Sequence, residues 1–594
     1  MQPEAVHRLD ILLDLFAGSA RDHGAPLLMH LQHEPLRDRL AVPEVAAEHE
    51  RDVAHEVHRV VPHDGTPRAR DRGLLLVPIR ETQRTVGRML TMRALRHPTP
   101  PSELARDEHP NAGSPDDHTG AHRHSTDRYG CCVTTALLTD LYELTMLRAA
   151  RRAGVEKRRC VFEVFTRSLP AGRRYGVVAG TARALRAIED FRFDDADLRY
   201  LARTGVLDDD ELAHLADYRF RGDVHAYAEG DLFFPNSPVL RVAGTFEDAV
   251  VLETVLLSIL NHDSAVASAG ARMVTAARGR PCIEMGSRRI HEDAAIAAAR
   301  AGWVVGFAST SNLAAGAHYR VPVAGTSAHA FTLLFDDERE AFAAQLAAQG
   351  AGTALLVDTY DVDTAVETAV DLAGPGLGAV RVDSGDLPAQ AHRIRALLDA
   401  RGATSTRITA TGDLDEYRLD ELADAPIDGY GVGTRFVTGS GHPTVGFVYK
   451  LVEREGADGA MHPVQKLSAD KQTRGSAKRA VRVLVDGRAR AELVLLGADA
   501  RSDVAAELAQ RLGAGAPGAD GSDAGALEVR ELQVPIIRGG ESLLVGTDPQ
   551  LAAAARAHHA QVKPELALVA DDGPDGPLAI PTVYSIDEAA AVLA

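Results

Sequence analysis

Cysteine is scarce: the 594 residues include only Cys131, Cys132, Cys160 and Cys282. None has the paired spacing of a zinc site or a disulfide framework, which excludes a disulfide-stapled scaffold and fits a reducing cytoplasm. The adjacent Cys131 and Cys132 read as incidental. Long apolar runs are missing too, since no stretch approaches the ~20 residues needed to span a bilayer. The N-terminus has no basic region leading into an apolar signal core. Positive charge is in deficit, with 65 Lys and Arg against 84 Asp and Glu and a net charge of −19. That balance argues against general affinity for nucleic acid or anionic membrane, which reward clustered Lys and Arg. Any phosphate must therefore be bound locally. The 45% hydrophobic and 25% charged residues that remain are ordinary globular composition, enough for two or three cored domains.

Lysine is absent from the first 132 residues, which nevertheless hold 13 of the 24 histidines and many arginines. A helical pattern around Leu9 to Phe16 and a strand-like run from Leu74 to Ile79 stand out. Otherwise periodicity is weak, and Pro/His/Asp-rich sequence fills residues 97 to 128. Three readings compete for this segment: a poorly ordered extension, a His-rich metal-binding region carrying His118, His122 and His124, or a start assigned too far upstream in GC-rich DNA. Val133 fits a genuine start, because GTG encodes valine and also initiates bacterial translation.

From Val133 the texture becomes α/β. Strand-like runs (Cys160 to Phe165, Gly378 to Val382, Arg407 to Ala410, Gly429 to Val432) alternate with helical segments such as Ala294 to Ala301 and Ala389 to Ala400. The rhythm predicts a parallel sheet or barrel, with chemistry at the C-terminal strand ends. The Gly/Ala/Asp-rich run 513 to 526 reads as a flexible insertion.

Several segments carry candidate chemistry. Ala136 to Met146 opens a helix capped by Thr139 or Asp140, with Tyr142 in its first turns. In Phe162 to Tyr175 a strand ends in a turn holding Arg167, Arg173 and Arg174, either a solvated loop or a polyanion site. Glu284-Met-Gly-Ser-Arg288-Arg289 ends a strand in paired arginines, whose planar guanidinium groups suit bidentate capture of carboxylate or phosphate. Gly306 to Gly316 puts small hydroxyl and amide groups, Asn312 among them, between a strand and a helix. Thr326 and His329 follow in a small, apolar setting, where a lone histidine is ordinarily a core residue.

The sharpest local signal is Val380-Arg381-Val-Asp383-Ser-Gly-Asp386. Arg and Asp alternating at a strand end project to one side, and two carboxylates this close repel unless a cation or polyhydroxyl substrate compensates. Gly429 to Gly439 reads as a strand entering a phosphate loop, with Gly433 and Thr434 at the turn, because glycine lets backbone N–H groups approach phosphate oxygens.

Taken in order, LLTDLYELTM, FEVFTRSLP, EMGSRR, GFASTSNLAAG, VPVAGTSAHAF, VRVDSGDL, TGDLDE, GVGTRFVTG and VYKLVE resemble the nicotinate phosphoribosyltransferase family from Val133 to about Lys478, with a looser tail. The resemblance implies a type II phosphoribosyltransferase fold: an irregular α/β barrel over residues 261–445, and an α/β domain built from 133–260 and 446–594. It implies active sites completed by a second subunit of a homodimer. The implied reaction joins nicotinate to phosphoribosyl pyrophosphate, with ATP hydrolysis driving NAD salvage through a phosphohistidine. Tyr142 matches the residue stacking on the pyridine ring from the partner. Arg288 and Arg381 match groups near the ring carboxylate and phosphates, Thr326 a nicotinate contact, Gly433 and Thr434 contacts to the ribose phosphate. His329 matches the phosphorylated histidine, and Asp383 the carboxylate near the ribose. Mg²⁺ is expected on pyrophosphate oxygens and water rather than in an all-protein cage.

Two departures qualify the match. Met285 stands where relatives often have Phe, which weakens one aromatic wall of the ring pocket. In the basic segment Lys466 to Lys478, Arg474-Gly475 replaces the usual Pro-Gly. A nicotinamide-using relative is expected to carry Asp at the position of Asn312, so Asn312 favours nicotinate. A non-catalytic nucleotide sensor, or an assembly docking through the N-terminal segment, is the rival from another class; retention of His329, Arg381, Asp383 and Thr434 argues against lost catalysis.

Overall fold

The computed structural model describes residues 134–466, 474–497, 502–513, 526–566 and 580–594. The expectations for residues 1–132, and nearly all of the insertion placed at 513–526, lie outside the described residues, as do 467–473 of the basic segment. Among the described residues no helix is long and apolar enough to cross a membrane.

Six parallel strands form the sheet that positions the site: β1 (Cys282–Glu284), β2 (Ser309–Thr310), β3 (Ala354–Leu356), β4 (Ala379–Val382), β5 (Arg407–Ala410) and β6 (Gly429–Val432). Their spatial order is β2-β1-β6-β5-β4-β3, a curled half-barrel with helices between strands, as the alternating texture predicts. One set of alternate residues (Leu355, Val380, Val382, Ile408, Ala410, Tyr430, Val432) is fully buried. Because side chains alternate along a strand, the other set faces the hollow of the curl. On the helix side, Leu387, Ala391, Ile394 and Leu398 form the buried stripe of helix Leu387–Ala400, the spacing of one helical face.

A seven-stranded antiparallel sheet draws from both ends of the chain. Arg159–Phe165 lies between Val448–Glu455 and Leu240–Thr245, with Asp223–Tyr227 and Gln533–Arg538 beyond. Phe162 stacks on Tyr449 across this junction, ring centroids 4.7 Å apart. Helix Glu253–Ala276, 24 residues long, runs between the two layers, and the division expected at 260/261 falls inside it. Its Ala- and Gly-rich second half allows close approach: a Cβ on Gly270 would stand 2.8 Å from the Phe436 ring. A third sheet contains the hairpin Lys478–Val485 and Arg488–Leu496, joined by Asp486-Gly487, both at positive φ as a two-residue hairpin turn requires. Arg482 on this hairpin is fully buried and ties it to the antiparallel layer, pairing with Glu492 at 2.6 Å and Asp231 at 3.2 Å.

Candidate active site

The C-terminal ends of β1, β4, β5 and β6 open on one cleft of about 570 Å³. Arg381 leaves β4 toward this cleft. Its Nη1 donates to Thr326 Oγ1 at 3.1 Å and to the Ser327 carbonyl at 3.0 Å, and its Nε donates to Thr411 Oγ1 at 3.2 Å. Two residues on, and on the same side as the alternation predicts, Asp383 accepts a hydrogen bond from Thr411 Oγ1 and lies 3.9 Å from Arg381 Nη2. Asp386, the second carboxylate of the motif, turns away to cap helix Leu387–Ala400, accepting from the Ala389 N–H at 3.1 Å. The expected repulsion is thereby relieved. Gly412, at φ +104°, brings the Thr411–Asp413 loop against Asp383, whose carbonyl oxygen would stand 2.2 Å from a Cβ there.

Opposite, β1 ends in buried Glu284, which accepts from the Gly286 N–H and from Thr310 Oγ1. Burial pushes its carboxyl above the ordinary value. Thr310 Oγ1 in turn accepts from the Asn312 N–H at 2.9 Å, and Asn312 Nδ2 donates to Ser287 Oγ at 3.0 Å. Glu284, Thr310, Asn312 and Ser287 thus lock together the turn that carries the exposed Arg288. Asn312 Oδ1 also caps the following helix through the Ala315 N–H, 2.8 Å away. Val321–Ala328 reaches the cleft because it runs beside β2, with Thr310 and Val323 bridged. After β6, Gly433 and Thr434 start a short helix that places both on the cleft wall.

Arg288, Thr326, Arg381, Asp383, Gly433 and Thr434 therefore line one cleft, together with Met285. His329 lies just beyond it, starting the helix His329–Thr332 that follows cleft residue Ala328. Its Nδ1 meets Thr359 Oγ1 at 3.1 Å and its Nε2 faces Asp358 Oδ1 at 3.9 Å. Tyr142 does not join them. It sits 45% exposed on helix Leu141–Ala153, where burial and nearby Glu253 push its hydroxyl up to about 12. Asp140 is the N-cap of that helix by backbone but makes no side-chain cap bond; Thr139 instead donates to Glu143 and to the Val251 carbonyl at 3.0 Å.

Three functional neighbours escaped the sequence reading: Thr411, Asp413 and Asp358. The side chain of Asp358 is 2% exposed; Oδ2 accepts from the Asp383 N–H and Ser384 Oγ, both at 2.8 Å, while buried Oδ1 has no hydrogen-bond partner. An Asp closing the apolar run Ala354 to Val357 was the available signal. Among the described residues no group of three or more His, Cys, Asp or Glu is placed to hold a metal ion.

A family model described as the nicotinate phosphoribosyltransferase N-terminal domain matches residues 137–261. The chain is 56% identical over 354 residues to nicotinate phosphoribosyltransferase pncB1 of Mycobacterium tuberculosis, covering 58% of this chain and 78% of that protein. It is 36% identical over 360 residues to the Bacillus subtilis nicotinate phosphoribosyltransferase, covering 59% and 73%. The crystal structure of human nicotinic acid phosphoribosyltransferase aligns with a TM-score of 0.60 at 27% identity, covering 77% of this chain and 99% of that one. On sequence and fold together, the chain belongs to the nicotinate phosphoribosyltransferase family.

Proposed function

We propose that the chain transfers the phosphoribosyl group of phosphoribosyl pyrophosphate to the ring nitrogen of nicotinate, releasing nicotinate mononucleotide and pyrophosphate, as a step of NAD salvage. The observation that carries this reading is the convergence of three arginines (Arg288, Arg289, Arg381), two carboxylates (Asp383, Asp413) and a Gly-Thr helix start on one cleft at the C-terminal strand ends. Arg381, braced by Thr326 and Thr411, presents a fixed guanidinium to an anionic substrate, and Arg288 adds a second positive charge. Backbone N–H groups at Gly433–Thr434 suit the 5-phosphate. As the bond from the anomeric carbon to pyrophosphate breaks and that to the pyridine nitrogen forms, positive charge grows on the ribose, where the Asp383 carboxylate stabilises it.

ATP enters through His329. Thr359 holds the ring through Nδ1 and leaves Nε2 to accept the γ-phosphoryl group; water later cleaves the phosphohistidine, giving ADP and phosphate overall. Mg²⁺ would come as a substrate-borne ion, and Asp383 and Asp413, which line the cleft, are the carboxylates available to hold it or its water. Bound with the substrate it would neutralise pyrophosphate charge, while the protein's part is to hold Asp383 in place through Thr411.

A homodimer in the cytoplasm completes the reading. Leu138, Leu141, Tyr142 and Met146 are exposed at and just before the start of helix Leu141–Ala153, and Leu313, Leu333, Leu334 and Tyr360 are exposed on the loops and short helices around the cleft. We read these groups as the two halves of a docking surface, and such docking would bring the partner's Tyr142 to a cleft in which this chain supplies Met285 as a ring-pocket wall. Product formation from nicotinate and nicotinamide, measured side by side with phosphoribosyl pyrophosphate and ATP, tests the assignment. Preference for nicotinate is expected, and preference for nicotinamide would sink it.

A further inference from the structure

Parallel barrels ordinarily fill their interior with bulky branched side chains. Here four inward positions are small: Ala354, Ala379, Thr409 and Gly429 line, together with Ile283, a second cavity of about 420 Å³. The residues closing its far end, Pro281, Thr353, Arg407 and Asp428, all stand at or just before the N-terminal starts of strands, opposite the catalytic edge. This lumen and the cleft share Met285, Ala324, Gly325, Thr326 and Arg381. The two cavities therefore meet at the Thr326–Arg381 pair, the point to which the nicotinate carboxylate is assigned. Arg407 guards the rear mouth. It is exposed, and its Nε reaches the Gly378 carbonyl at 3.5 Å, whereas Asp428 beside it is engaged by the Ile408 N–H at 2.7 Å.

We propose that the lumen of the half-barrel is a rear entrance for the small acid: nicotinate, a planar monoanion, passes from Arg407 along the Ala379–Thr409–Gly429 wall to Arg381, while phosphoribosyl pyrophosphate enters at the catalytic edge. The inference rests on the reading of nicotinate as substrate. Two separate mouths suit the chemistry, because in the proposed reaction phosphoribosyl pyrophosphate would cover the front of the cleft, and an acid confined to that side would have to bind before it. Arg407 acts as a capture residue, its exposed guanidinium offering a small anion a first contact at the mouth. Arg407 is paired with Ala379 and Thr409 with Arg381, so the mouth lies two residues, one full pleat of the sheet, behind the level of Arg381.

Arg407→Cys provides the test, with the full chain labelled at that thiol by an aminoethyl, a sulfonatoethyl or a bulky aromatic methanethiosulfonate. Labelled wild-type protein controls for Cys131 and Cys132; Cys160 and Cys282 are buried. The expected result is a nicotinate association rate and kcat/KM about tenfold lower with the sulfonate than with the amine, a larger loss with the bulky group, reversal by reductant, and an unchanged KM for phosphoribosyl pyrophosphate. Equal nicotinate kinetics in all labelled forms would overturn the rear entrance, as would equal losses for both substrates. Wild-type enzyme that fails to use nicotinate would overturn the substrate reading itself, so the two failures are told apart.

Discussion

Arg381 Nη1 lies 3.1 Å from Thr326 Oγ1, joining a residue of the fourth parallel strand to one on the segment beside the second. This bond, with that to the Ser327 carbonyl, fixes the guanidinium plane before any substrate arrives. Arg381→Lys keeps the charge and loses the fork. Charge-assisted hydrogen bonds contribute about 1.5–3 kcal/mol, so the KM for nicotinate is expected to rise roughly tenfold to a hundredfold. Steady-state kinetics with nicotinate varied at saturating phosphoribosyl pyrophosphate reads the change, and a KM within a factor of two of wild type would count against carboxylate binding there.

His329 separates the energy-coupling step from the transfer step. His329→Ala is expected to abolish stimulation by ATP while a slow, ATP-independent transfer remains, because Arg381, Asp383 and Thr434 stay in place around the cleft. Label from γ-phosphate ATP should appear on the wild-type protein and not on the variant. Unchanged ATP dependence in the variant would refute the phosphohistidine.

Three of the six parallel strands were legible as short runs bounded by turn residues, and Arg407–Ala410 and Gly429–Val432 begin and end where the sequence puts them; Ser309–Thr310 is too short and polar to read, and Cys160–Phe165, expected in the same rhythm, pairs antiparallel in the other sheet. Arg381 and Asp383 were legible together, since a period of two puts them on one side of a strand. His329 was not readable from its neighbours, because a lone histidine among small residues says nothing of the Asp358 and Thr359 that the chain brings back some thirty residues later. Asp386 misled in the other direction: as a second carboxylate it suggested a ligand, yet it serves as a helix cap. Tyr142 shows a different limit, because its own chain does not place it among the residues lining the cleft.

Glu338 ties pH to stability. Burial, followed by Asp337, Asp361 and Asp358, pushes its carboxyl from 4.5 up to about 7, and its Oε1 is buried without a hydrogen-bond partner. The folded state thus keeps a proton that the unfolded state has already lost between those two values. Stability falls as pH rises through that window and levels off above about 7. Glu338→Gln is expected to flatten this slope, so that the variant gains on wild type with rising pH. Urea midpoints at intervals from pH 4.5 to 8 check it, and parallel curves for the two proteins would exclude Glu338 as the cause.

Arg482 is expected to govern stability without touching the reaction. Its side chain is fully buried among Glu492, Asp231 and Glu565, and also donates to the Leu232 carbonyl at 2.9 Å. Removing one partner of a buried ion pair costs about 3–5 kcal/mol, because the remaining charges are left uncompensated. Arg530 also pairs with Asp231 and Glu565, which holds the loss toward the lower end. Arg482→Ala should lower the midpoint of chemical denaturation while leaving the KM of the folded fraction unaltered.

The dimer reading makes its own quantitative prediction. If Tyr142 serves the partner's cleft, Tyr142→Ala and Asp383→Ala damage different halves of each shared site. Each homodimer is expected to lose most of its activity, the first through weaker stacking of about 1 kcal/mol or more on the ring, the second through lost charge stabilisation at the ribose. Mixed dimers, formed by co-expression with two tags and purified through both, pair one subunit of each kind. One of their two sites combines an intact Tyr142 with an intact Asp383, so activity should return to about half that of wild type. If Tyr142 instead served its own chain, both sites of the mixed dimer would carry a lesion, and activity would stay at the mean of the two parents.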